Sequence, residues 1–220
     1  MNRLCAALAA TCVMSGPAWA DGSTKDVPTA RQLACYLGVY GQGSYVRDET
    51  RIATVMDMAM GDAVTGGGPQ VGCDVIVSER WLVGLVADYT WQATRFQQTM
   101  GGLVMSAPVS NEWSVRGRVG AFTTSARNTL LYVHGGVAGE VDANARIGAA
   151  LTMPFSGGIG GVVGAGIETK LGGGQGNSGW YAFGEYGHEM FGDRTGTVVG
   201  VPTRVTNVED RVRVGINFRY

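Results

Sequence analysis

The chain has 220 residues, 36 of them glycine, and 17 basic against 18 acidic residues. That near-neutral balance offers no basic surface for a nucleic acid, so no nucleic-acid partner is expected. After residue 20 there is no run of about 18 consecutive apolar residues, which excludes a transmembrane helix.

The first segment, "MNRLCAALAATCVMSGPAWA", carries Arg3, an apolar run from Leu4 to Met14 and the small-x-small site Ala18-Trp19-Ala20. This is the layout of a secretory signal peptide cleaved after Ala20. Cleavage removes Cys5 and Cys12 and leaves Cys35 and Cys73, too few for a disulfide framework or a metal cluster. The expected organisation is a signal peptide over 1–20, a short periplasmic segment over 21–33 and one domain over 34–220.

Period-2 alternation then marks eight strands, at roughly 34–45, 66–77, 80–92, 111–123, 129–140, 158–170, 179–191 and 208–220. The stretch "TRIATVMDMAMGD" (50–62) reads as loop. Connections alternate long and short: about 20 residues, then two, 18, five, 17, eight and 16. Outer-membrane barrels show this asymmetry, with tight periplasmic turns and longer extracellular loops. "SGGIGG" and "LGGGQGNSG" supply turn or loop material.

Both a membrane barrel and a lipocalin-type soluble barrel have one apolar and one polar face. The strand "WLVGLVADYTW" (81–91) separates them, because Trp81 and Trp91 flank one apolar face ten residues apart. At about 3.3 Å per residue and a tilt of about 40°, they stand roughly 25 Å apart along the barrel axis, the height of an apolar band between aromatic girdles. The opposite parity gathers Asp74, Asp88, Arg116, Arg118, Glu168, Glu185, Arg211, Arg213 and Arg219. Turned outward, the arginines of the last strand would meet lipid at up to about 2–4 kcal/mol each. Turned inward, they can pair with the carboxylates, as enclosed charges must. That strand also carries Ile216, Phe218 and Tyr220 on its apolar face. The fold expected is all-β, an eight-stranded antiparallel up-and-down transmembrane barrel.

The blocks "CYLGVYGQGSY", "GGGPQVGCDV…RWLVGLVADYTW", "WSVRGRVGAFTTSARNTLLYVHGGVAG", "GVVGAGIETKL", "FGEYG" and "RVRVGINFRY" resemble the small opacity-protein-like surface-antigen barrels of Gram-negative bacteria, related in architecture to the OmpA membrane domain. The resemblance implies a place in the bacterial outer membrane and a structural or surface-interaction role without catalysis. It further implies that Ile216, Phe218 and Tyr220 form a C-terminal signal read by the outer-membrane insertion machinery. Expected partners are outer-membrane lipid, lipopolysaccharide, that machinery and an unidentified extracellular ligand, with the protein a monomer.

Three chemistries are considered and declined. Lipid A-modifying barrels use a catalytic His, Ser and acid. Here His188 falls on the apolar face near the loop rim, and Glu185 and Glu189 beside it have the opposite parity. His134 is assigned to the lumen. "GGIGGVVGAGIE" lacks the helix that a phosphate-cradling loop needs, so no cofactor, metal or catalytic residue is expected. Cys73 is expected opposite about residue 39, roughly 13 Å along the strand from Cys35, too far for a bridge. Two free, lipid-facing thiols are therefore expected. A passive pore, a lipid A-modifying enzyme and a lipocalin-type binding barrel are the competing readings.

Overall fold

The computed structural model describes residues 32–220 apart from 53–55, 94, 101–102, 109–110, 124–126, 142, 148–150, 156–157, 174–177 and 199–200. The expected signal peptide, and all but the last two residues of the 21–33 segment, lie outside the described residues.

Thirteen strands follow in chain order: β1 (Gln32–Ile52), β2 (Met56–Ile76), β3 (Trp81–Gln92), β4 (Arg95–Met100), β5 (Leu103–Pro108), β6 (Glu112–Phe122), β7 (Thr129–Glu140), β8 (Ala143–Ile147), β9 (Leu151–Phe155), β10 (Ile159–Gly172), β11 (Gly179–Phe191), β12 (Arg194–Val198) and β13 (Val201–Arg219). Eight of them, in the order β1-β2-β3-β6-β7-β10-β11-β13, pair antiparallel, and β13 returns to β1. The eight strands therefore close on themselves as a barrel, the arrangement expected from the eight alternating segments. At the seam Tyr36 faces Arg219 and Leu37 faces Phe218. The Tyr220 amide donates to the Cys35 carbonyl at 3.0 Å, extending the pairing by one residue.

The short connections have local causes. Between β2 and β3 the Trp81 carbonyl accepts from the Val77 amide at 3.0 Å. The Ser78 hydroxyl accepts from the Trp81 amide at 3.2 Å, a side-chain closure favoured in turns. Between β10 and β11, Gly173 takes φ +75°, a left-handed conformation that glycine adopts without strain.

The long connections differ from expectation. Residues 46–52 and 56–65 continue β1 and β2 as 21-residue strands, about twice the 9–11 residues a membrane strand needs. The stretch 50–62, expected as loop, therefore lies in strands outside 53–55. The other long connections hold β4, β5, β8 and β9, which form a second, four-stranded sheet, and β12, which pairs with β13. Alternation with one apolar parity marks only strand that crosses lipid, so strand beyond it goes unmarked.

The longer hairpin also corrects the cysteines. With Ile52 opposite Met56, the register carries down to place Cys35 directly opposite Cys73. The two form a disulfide with Cα atoms 4.0 Å apart, so the thiols are not free. The offset expected from the sequence comes from strand ends placed unevenly about the turn, at 45 and 66, whereas the register sets Tyr45 opposite Ala63.

Candidate functional site

Each barrel strand turns one parity inward, and the inward set is polar. Among the described residues, seven carboxylates and five arginines are buried. They sort by height into layers. Nearest the short turns, Arg118 forks onto Asp74, with Nε to Oδ1 at 2.8 Å and Nη2 to Oδ2 at 2.5 Å. Its Nη1 donates to Glu168 at 3.3 Å. Arg219 joins the same two acids, at 2.8 Å to Glu168 and 3.1 Å to Asp74. The Arg118 guanidinium lies 4.6 Å from the centre of the Tyr36 ring, which spreads cation–π attraction over the quartet.

A second quartet sits above. Arg116 reaches Asp88 and Glu185, both at 2.7 Å. Arg213 approaches the same pair at 3.2 and 3.5 Å. Asp88 also accepts from the Ser114 hydroxyl at 2.6 Å, and Glu185 from the Tyr132 hydroxyl at 3.1 Å. Each quartet holds two arginines and two carboxylates and is neutral. Desolvation is costly for each ion, and bidentate geometry with added hydrogen bonds offsets it.

Above these, Arg211 donates to Glu112 at 3.2 Å and contacts Glu189. Gln92 donates to the other Glu112 oxygen at 3.1 Å. Apolar clusters bracket the charges. Ile76, Leu82, Phe122 and Leu130 pack at the short-turn end, and Ala138, Val162 and Phe191 at the loop end.

Eight of the nine charges expected in the lumen thus fall into two quartets. The ninth, Arg211, does not meet Asp74, Asp88, Glu168 or Glu185 but the glutamates above them. His134 lies in the lumen beside Arg116, at 3.4 Å. The sequence alone does not single out Glu112, Glu209, Tyr36, Tyr40 or Asn217, although their parity marks them. Tyr36 and Tyr40 alternate with Leu37 and Val39, and Asn217 alternates with Phe218.

The outward parity is largely apolar on strands all round the barrel. Leu37 on β1, Val83 on β3, Val119 on β6, Val133 on β7, Val163 on β10 and Val214 on β13 are exposed, Val133 by 61% and Val214 by 62%. Trp81 and Trp91 stand outward at the two ends of β3, as do Ile216, Phe218 and Tyr220 along the seam. Water does not favour so broad an apolar belt over a charged core, and lipid does. This is a membrane-spanning β-barrel. A lipocalin arrangement, apolar inside and polar outside, is the reverse of the one observed.

Among the described residues, a polar cluster interrupts this exterior near the loop end. His188 lies on the outward face, and its Nδ1 is 2.8 Å from the Asp210 carboxylate. The Tyr186 hydroxyl donates to the same oxygen at 2.5 Å, and Arg47 reaches the other at 3.2 Å. Glu185 and Glu189, sequence neighbours of His188, face the lumen and are not its partners.

No protein-family model matches the chain, and no curated protein sequence matches it. Solved structures of similar fold include Ail, the attachment invasion locus protein of Yersinia pestis, at 10% identity and TM-score 0.43, covering 83% of this chain and 98% of that one. OprG from Pseudomonas aeruginosa is similar at 13% identity and TM-score 0.43, covering 84% and 95%. AlkL, solved by solid-state NMR in lipid bilayers, is similar at 16% identity and TM-score 0.44, covering 94% and 95%.

Proposed function

We propose that the barrel is a structural, surface-displaying protein of the bacterial outer membrane, without catalytic activity. The observation that carries this reading is the pair of neutral charge quartets stacked across the lumen. A bore filled by paired side chains gives a solute no path, and an eight-stranded barrel is only wide enough for such filling. The barrel then serves as an anchor, and specificity lies in the segments joining β1 to β2, β3 to β6, β7 to β10 and β11 to β13. In this reading export precedes insertion, with 1–20 removed and 21–33 left in the periplasm. The belt between Trp81 and Trp91 contacts lipid and lipopolysaccharide, and Ile216, Phe218 and Tyr220 address the insertion machinery. The loop segments meet an extracellular ligand, and the protein acts as a monomer.

The test is threefold on one preparation: outer-membrane fractionation, protease clipping of intact cells and conductance in planar bilayers. Outer-membrane recovery, clipping within the loop segments and a silent bilayer are expected. Stepwise conductance would favour the porin reading, and recovery from the soluble periplasm would end the membrane assignment.

A second reading, a lipid-modifying enzyme, is favoured by the Asp210-held imidazole of His188 on the outward face. An altered lipid A profile on deletion, restored by the wild-type chain but not by His188→Ala, would establish it.

A further inference from the structure

The layers of the lumen do not carry equal charge. The two lower quartets each balance two arginines against two carboxylates. At the loop-side end, Arg211 is the one arginine among the described residues in contact with the trio Glu112, Glu189 and Glu209, so with all three ionised the layer is short of two positive charges. All three glutamates are buried, and Glu189 and Glu209 are 0% exposed.

Register makes the imbalance acute. Glu189 on β11 lies directly opposite Glu209 on β13, and like charges facing each other across a ladder destabilise it. Arg211 spans Glu112 and Glu189. Among the described residues Glu209 has no arginine in contact, and neither of its oxygens has a donor in hydrogen-bonding geometry. The groups beside it, the Glu112 carboxyl and the Ser44 hydroxyl, bring no positive charge to balance it. An uncompensated buried carboxylate costs several kcal/mol, so something positive must complete the layer.

Carboxylate oxygens of the three glutamates lie within 4.8 Å of one another. That spacing is about twice a calcium–oxygen bond, so one ion can touch all three. The donors are oxygen alone, which selects hard cations, and the deficit of two charges equals one divalent ion. We infer that Glu112, Glu189 and Glu209 form a calcium-type divalent-cation site that closes the loop-side end of the lumen. The site lies beyond the two quartets and is independent of what the loop segments bind. Bound cation ties β6, β11 and β13 together, as the arginines do lower down.

Calcium chloride alone is the probe, titrated calorimetrically into the full chain folded in detergent micelles and stripped with a chelator. One ion per chain is expected, with a higher unfolding temperature in calcium than in chelator. Glu209→Gln should weaken binding by about tenfold or more, as loss of a coordinating contact does. It should also unfold at a higher temperature than wild type in chelator, because it removes the unpaired charge. Glu79→Gln in the β2–β3 turn should bind as wild type does. No binding heat together with identical unfolding in calcium and chelator would overturn the inference. So would a wild-type barrel indifferent to calcium but stabilised in chelator as pH falls from 7 to 5, since protons would then supply the missing charge. Both readings are made on wild type, so they stand even if Glu209→Gln fails to fold.

Discussion

Cys35 and Cys73 lie directly opposite each other on β1 and β2 and are joined by a disulfide. The bond sits on the outward face of a hairpin rich in glycine, where Gly41, Gly43 and Gly67 leave few side chains to fix the register. Its closed loop spans a sequence separation of 38. Removing such a cross-link costs about 2–4 kcal/mol in the chain-entropy account. Cys35→Ser or Cys73→Ser should therefore lower the urea midpoint of the folded barrel while leaving its heat-modifiable gel migration in place. Thiol labelling of the unreduced, denatured chain should find neither cysteine; labelling of both would refute the bond.

Arg118, like Arg219, ties together both acids near the short turns, forked on Asp74 and touching Glu168. Truncation to alanine leaves two buried carboxylates sharing Arg219 alone. A loss of about 3–5 kcal/mol is expected, read as a shift in the urea midpoint. Arg118→Lys should recover only part of it, because an ammonium cannot reproduce the fork. Full recovery by lysine would mean that charge alone holds the quartet.

The lipid belt gives a sharper contrast. Val133 is exposed on the outward face of β7. Val133→Arg should destabilise the barrel by up to about 2–4 kcal/mol in bilayers if that face meets lipid, and by almost nothing if it meets water. Unfolding in lipid vesicles measures the difference.

Glycine substitutions should divide the same way. A Cβ at Gly136 would run into the backbone carbonyl of Val115, whereas one at Gly41 or Gly43 meets open space. Gly136→Ala is expected to lose much of the heat-modifiable form in refolding assays. Gly41→Ala and Gly43→Ala should refold as wild type does.

These sites differ in how plainly the sequence announces them. Arg116 and Arg118, or Arg211 and Arg213, alternate with valines and glycines, so crossing the bilayer forces their parity into view. Glu112 and Glu209 are equally luminal, but Glu112 opens β6 and Glu209 stands at the start of the expected last strand, in the middle of β13, where apolar neighbours thin out and parity is hard to anchor. The cysteine pairing was hidden for a related reason. Residues 46–52, "VRDETRI", are polar on both parities, and nothing in them distinguishes extended strand from loop. Pairing between strands decides there, and a single chain does not print its partners.

The seam between β1 and β13 has a further consequence. Strand β13 is synthesised after every other strand, yet β1 depends on it for half of its backbone partners. Contact order is correspondingly high, and folding is slow and waits on the whole chain. Until closure, both seam strands present unpaired edges, which invite aggregation. A barrel closed in this way must travel unfolded and shielded, and reach its final form only on assembly.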